Sequence, residues 1–165
     1  MQPRRQADQN LIDFLESMEG FRTTVYPDAA GLPTIGYGHL LSRSEIKKNA
    51  FAKGITRAQG GILLRKDIAN AVNAVNHYVT VSLNQNQFDA LVSFSFNIGV
   101  GAFQQSTALR LVNQQNWPAV PGALSLFNKI TANGQKIVSK GLALRREKEG
   151  KIFSAPPGTW PDFSN

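Results

Sequence analysis

The chain has 165 residues, 42% hydrophobic and 18% charged, with no cysteine, two histidines and a net charge of +7. That length suits one compact domain with a sizeable core, and the balance excludes a disordered chain. The lack of cysteine excludes disulfides and thiol catalysis and, with only two histidines, argues against a structural zinc site.

No apolar run approaches the roughly 18 residues that would span a bilayer. The N-terminus MQPRRQADQN carries two arginines with no apolar stretch behind them, so it does not read as a secretory signal. The positive charge favours a polyanionic partner, and nucleic acid, anionic lipid and bacterial cell wall all qualify.

In chain order, residues 7–18 read as a helix. Ala7, Leu11, Phe14, Leu15 and Met18 fall on one apolar stripe, with Asp8, Asp13 and Glu16 off it. Gly20 is a natural stop, which puts Glu19 on the last turn. There the helix dipole disfavours a further negative charge, and partial burial beside Met18 pushes the same way. Both favour the protonated carboxyl that a general acid needs. Thr23 to Tyr26 are strand formers, Pro27 to Gly31 has turn chemistry, and Leu32 to Tyr37 returns as a second strand. Pro33 predicts that this second strand lies at an edge or a bulge. Gly36 and Gly38 predict tight packing, but the third glycine of a dinucleotide fingerprint is missing.

The remainder reads as helical. Ser42 with Glu45, and Thr56 with Gln59, each fit a capping box and predict helix starts at 43 and 57. Leu64, Ile68, Val72 and Val75 form a stripe down one long helix ending near His77. Residues 86–98 are apolar or small on nearly all sides, the mark of a core helix, and Gly99 and Gly101 end it. Two shorter helices follow at 106–113 and 117–127, with Pro118 in the first turn of the second. Gly134 interrupts a polar loop, a last short helix covers about 141–149, and PPGTWPDFSN is an irregular tail.

Cutting a glycosidic bond needs an acid for the leaving oxygen and a second group for the water or the sugar cation. Glu19 at a helix end and Asp28 in a turn occupy different environments, which is how two carboxyl groups acquire two roles. The Thr34 hydroxyl can help Asp28 hold the attacking water. Singly, each residue has a plainer reading: a helix-end surface charge, a turn former and a strand residue.

As a set, Glu19, Asp28 nine residues later, Thr34 six further on and the run TIGYGHLL resemble the active-site block of phage-type lysozymes (endolysins, muramidases). Asp67, FNIGVGAF at 96–103, STALRLVN and Gly141-Leu142-x-x-Arg145-Arg146-x-x-Glu149 extend the similarity over nearly the whole chain. The resemblance implies a mainly α (α+β), two-lobed lysozyme-like fold. Its parts would be a small β-sheet lobe at about 20–55, a long connecting helix at about 56–78, and a helical lobe of 79–165 that recruits the N-terminal helix 7–19.

The same resemblance implies hydrolysis, with inversion, of the β-1,4 bond between N-acetylmuramic acid and N-acetylglucosamine in bacterial peptidoglycan. Glu19 is then the acid, and Asp28 and Thr34 position the water. His39 is structural and pairs with Asp67. Leu40, Phe96, Asn97 and Ser106 resemble sugar-contacting positions, with plain core packing the alternative for Phe96. Arg145 resembles an arginine that reaches toward the catalytic Glu. Its plainer reading is a solvated face of the basic segment Lys129 to Lys151, which has seven Lys/Arg against two Glu. No metal or cofactor is required, and peptidoglycan is the partner of a monomer, with a secondary contact at an anionic membrane or outer-membrane surface allowed. The family further implies synthesis in the host cytoplasm without a signal peptide, and action in the periplasm once a separate protein has permeabilised the membrane.

Two rivals use the charge alone. A cationic membrane-active protein lysing without catalysis would act through the basic segment, but that segment is short, glycine-broken and contains Glu147 and Glu149. A nucleic-acid binder would need a basic-aromatic motif, and none is present.

Overall fold

The computed structural model describes residues 3–164. Its internal contacts divide it into two compact units, one of residues 12–69 and one of residues 70 onward together with the chain's start as far as Leu11.

Helix α1 (Gln9–Glu19) runs from one unit into the other. It starts two residues later than its stripe predicts because Asp8 stays outside and caps it: Asp8 Oδ1 accepts the Leu11 N–H at 3.1 Å. Gly20, at φ +69°, ends it as expected. Leu11, Ile12, Phe14 and Leu15 are buried.

In the 12–69 unit, strands β1 (Arg22–Pro27), β2 (Pro33–Gly36) and β3 (His39–Leu40) form an antiparallel sheet in the order β1-β2-β3. The strand containing Pro33 is therefore the middle strand, which corrects the expectation of an edge. Pro33 is tolerated because it is the strand's first residue; it pairs with Pro27, and its carbonyl accepts the Leu41 N–H at 2.9 Å. The irregularity falls instead in β1, between Arg22 and Tyr26.

Helices α2 (Arg43–Lys47) and α3 (Arg57–Asp67) begin where the capping boxes predict. Ser42 Oγ accepts the Glu45 N–H at 3.2 Å while the Glu45 carboxylate accepts the Ser42 N–H at 2.8 Å. Thr56 and Gln59 repeat the exchange at 3.2 and 2.8 Å. Helix α3 packs closely on the aromatic pair Phe21–Tyr37, whose ring centroids are 5.0 Å apart. A Cβ at Gly60 would stand 2.8 Å from the Phe21 ring and 3.2 Å from that of Tyr37, so a glycine is required for this approach.

The single long helix predicted from 57 to 77 is two helices. Helix α3 stops at Asp67, Ile68 holds ψ at −8°, and α4 (Ala69–Tyr78) follows. A helical ψ is near −42°, so the next peptide swings out of the hydrogen-bond ladder with no Pro or Gly to announce it. The apolar stripe survives: Leu64, Ile68, Val72 and Val75 are all buried.

In the other unit, α5 (Gln85–Ile98) starts on an Asn84–Gln87 capping box and is buried at Asn86 and from Phe88 to Ser95, as its all-round apolar sequence predicts. Next comes α6 (Val100–Gln104), where two glycines had read only as a stop, and then α7 (Thr107–Asn113). The helix expected over 117–127 is a 3-10 turn at Trp117–Ala119 followed by the short α8 (Val120–Leu124).

The expected polar loop around Gly134 is a β-hairpin, β4 (Lys129–Ala132) against β5 (Gln135–Val138). Its turn residues Asn133 and Gly134 both have positive φ, 49° and 74°, as a two-residue hairpin turn demands. The Asn-Gly dipeptide was the signal for it. Helix α9 (Lys140–Ser154) is longer than the predicted 141–149 because Ile152 and Phe153 continue its buried face.

Candidate active site

Glu19, Asp28 and Thr34 all lie in the 12–69 unit. Glu19 is the last residue of α1 and is exposed, whereas partial burial had been expected; Met18 beside it is half-buried. The carboxylate comes up to the turn between β2 and β3, where a Cβ on Gly38 would lie 3.9 Å from Glu19 Oε2.

Asp28 sits in the turn after β1. Its Oδ1 accepts the N–H groups of Ala30 at 2.8 Å and Leu32 at 2.9 Å, and its own N–H donates to the Leu32 carbonyl at 2.9 Å. Thr34, buried on β2, donates its hydroxyl to that same Leu32 carbonyl at 2.9 Å. Both side chains are thus pinned through one residue of the turn. Both Asp28 bonds end on Oδ1, so Oδ2 is left as an acceptor. The single Thr34 hydroxyl hydrogen is already used, so that oxygen too can only accept.

His39 holds a position between two carboxylates. Nδ1 is 3.0 Å from both Asp67 oxygens and Nε2 is 3.2 Å from both Glu45 oxygens. Burial pushes the Asp67 carboxyl above the usual aspartate range, and the His39 hydrogen bond only partly offsets this. An ion pair with His39 acting alone would instead depress this carboxyl. Burial also acts upward on Glu45, but there the Ser42 and His39 hydrogen bonds prevail and hold it below its ordinary value.

In the 70-onward unit, Arg145 lies on no solvated face; it is buried, and its Nε donates to Glu149 Oε1 at 3.2 Å. Arg146 is equally buried: its Nε is 2.8 Å from Glu149 Oε2, and its Nη2 donates to Asn97 Oδ1 at 2.7 Å. Ser93 Oγ donates to Glu149 Oε1 at 2.7 Å, and the Arg146 guanidinium stands 5.1 Å from the Phe94 ring centroid. Asn97 is exposed with its oxygen held, and Phe96 is half-buried. Ser106 is buried as the cap of α7; its hydroxyl donates to Phe103 O and accepts the Leu109 N–H. Leu40, on β3 in the first unit, is exposed. Among the described residues, no group of three His, Cys, Asp or Glu side chains is placed to hold a metal ion.

The phage lysozyme family model matches residues 16–149, which contain every one of these positions. The chain belongs to the phage lysozyme family. It is 41% identical over 150 residues to the endolysin of Salmonella phage P22, covering 90% of this chain and 97% of that one. An endolysin from Escherichia coli O157:H7 phage FAHEc1 has a similar structure, with TM-score 0.85, 33% identity and coverage of 98% and 100%. So does the muramidase domain of SpmX from Asticaccaulis excentricus, with TM-score 0.82, 36% identity and coverage of 93% and 100%.

Several contacts in this lysozyme go beyond what its sequence indicates. Glu45 was recognised only as a cap, yet the same carboxylate is the second partner of His39. Arg145-Arg146-x-x-Glu149 has the i,i+3 and i,i+4 spacing that puts opposite charges on one helix face, and that was its readable signal. Asp89 had none. It is fully buried on α5, accepts the Gln85 amide at 3.1 Å, and is pushed up to about 8 by burial and by Asp8.

The Asp67 shift has a sign that can be measured. Above 3.8, the unfolded chain releases this proton before the native lysozyme does, so the native state binds more protons and stability falls as pH rises. Glu45 works oppositely: its contribution is present above 4.5 and is lost as pH falls through its lower folded value. In Asp67→Asn the neutral amide can still accept from His39 Nδ1, so at acid pH the two proteins should differ by about 1 kcal/mol. The wild type's margin should then shrink as pH is raised above 3.8. Urea unfolding of both proteins across the acid range measures this; a margin that grows with pH would mean that the ion pair outweighs desolvation.

Proposed function

We propose that this lysozyme acts as an endolysin, cutting the β-1,4 bond between N-acetylmuramic acid and N-acetylglucosamine with inversion at the anomeric carbon. Glu19 is the general acid that protonates the leaving oxygen. Asp28 and Thr34 hold the attacking water, and Asp28 takes its proton as the base.

The observation that carries this reading is the shared anchoring of Asp28 and Thr34 on Leu32. A water between Asp28 Oδ2 and Thr34 Oγ1 meets two acceptors and so gives up both of its hydrogens to them. Its lone pairs are then directed away from the turn, toward a sugar. A carboxylate tied down by two backbone N–H groups on its other oxygen is a poor swinging nucleophile but a good fixed base. Glu19 comes from a different element, as an acid on the opposite side of the bond must. Family membership supports action on the cell wall, reached in the periplasm after the inner membrane has been permeabilised.

Product analysis of purified peptidoglycan tests the proposal. Mass spectrometry should find reducing muramic ends; anhydro ends would mean transglycosylation. NMR of the first-formed product should show the α-anomer. A β-anomer from the β-linked chain means retention, and with it a nucleophilic Asp28.

A further inference from the structure

The β4–β5 hairpin is the part of the molecule that packing explains least. Every residue from Lys129 to Thr131 and from Asn133 to Val138 is exposed. Ile130 and Ile137 are direct cross-strand partners, so they share a face, and they are 46% and 45% exposed. On the opposite face the pairs Lys129–Val138 and Thr131–Lys136 place two lysines, with Lys140 just beyond the exit. A two-stranded hairpin gains little stability by itself in water, and aliphatic side chains on an uncovered face add nothing to it. The charge around it is one-sided: no Asp or Glu stands anywhere between Asp89 and Glu147.

We propose that the β4–β5 hairpin, with Lys140, is a docking surface for a bilayer carrying anionic headgroups. One face offers aliphatic side chains that can enter the headgroup–acyl boundary. The other offers ammonium groups on long stems that reach back to lipid phosphates. This is the division of an interfacial amphipathic helix, written at the two-residue period of a strand. Nucleic acid is disfavoured because the hairpin has no aromatic residue for a base to stack on and no arginine. A second copy of the chain would bring the same lysines together. A glycan would leave the isoleucine pair without a partner. Docking requires no lysis and does not rest on the roles given to Glu19, Asp28 and Thr34.

Co-sedimentation with vesicles of phosphatidylglycerol and phosphatidylethanolamine, against vesicles of phosphatidylcholine, tests the proposal on the full chain. Binding should occur only with the anionic vesicles. Lys129→Gln/Lys136→Gln should weaken it roughly 25-fold, at about fivefold per lysine. Ile130→Ser/Ile137→Ser should weaken it at least about tenfold, and both variants should digest purified peptidoglycan as wild type does. The charge-matched control Lys47→Gln/Lys48→Gln, on exposed lysines of the other unit, should bind nearly as wild type. No binding to anionic vesicles overturns the proposal, as does an equal loss in the control, which would assign binding to net charge. Unchanged binding in the isoleucine variant overturns it too. Binding to a DNA duplex that is lost in the lysine variant, without vesicle binding, would assign the hairpin to nucleic acid instead.

Discussion

Glu19→Gln should abolish most wall-degrading activity while leaving the fold intact. The amide preserves the shape of the side chain at the end of α1 and removes only the proton it can donate. Loss of general acid catalysis alone should lower the rate on purified peptidoglycan about 10²–10⁴-fold. Glu19 is exposed, so circular dichroism should show the same fold in both proteins. The exposure also indicates when the carboxyl acquires its function: a bound glycan displaces water around it and strengthens its hydrogen bond to the leaving oxygen. The substitution raises the net charge by one, so a protein that disrupted membranes electrostatically would lyse cells as well as before or slightly better. A folded Glu19→Gln that digests purified peptidoglycan at the wild-type rate would remove Glu19 from the mechanism.

The second large effect should come from Glu149→Gln, measured as stability. Glu149 is fully buried against Arg145 and Arg146, and burial pushes the Arg146 guanidinium below its ordinary value even with Glu149 beside it. The network is therefore held under a desolvation cost that the ion pairs only partly offset. Neutralising Glu149 leaves the buried Arg146 guanidinium without the carboxylate that faces it, which should cost about 3–5 kcal/mol. For a chain of this length that corresponds to a midpoint lower by roughly 10 °C. The same helix provides a control in Glu147, which bonds Lys151 at 2.7 Å but stands in solvent at both ends. Glu147→Gln should be far less costly, since water replaces the lost partner. Equal losses in the two variants, by urea unfolding at neutral pH, would mean that Arg145 and Arg146 reach water when Glu149 is neutralised.

Helix starts at 43 and 57 needed only residues three apart, because a capping box is closed by bonds within one turn; Asn84 and Gln87 carry the same signal one residue ahead of the start expected at 86. The hairpin carries its signal in Asn133-Gly134 and in the alternation of Lys129 to Ala132, but Gln135 to Val138 does not alternate cleanly. The break at Ile68 had no residue to mark it. Pro33 was read correctly as a constraint and placed wrongly, because a strand's first residue meets the constraint as well as an edge does.

For the site, the spacing of Glu19, Asp28 and Thr34 together with TIGYGHLL was enough to indicate the family and its chemistry. Helix-end position and turn chemistry follow from covalent geometry and short hydrogen bonds, and both are present in the local sequence. Burial is not. Only the tertiary structure decided that Glu19 is exposed, that desolvation outweighs the His39 bond at Asp67, and that Arg145 and Arg146 turn inward onto Glu149. It also decided that two isoleucines and two lysines stand uncovered on a hairpin. Each outcome depends on what the rest of the chain places around a side chain, and no short-range pattern records it.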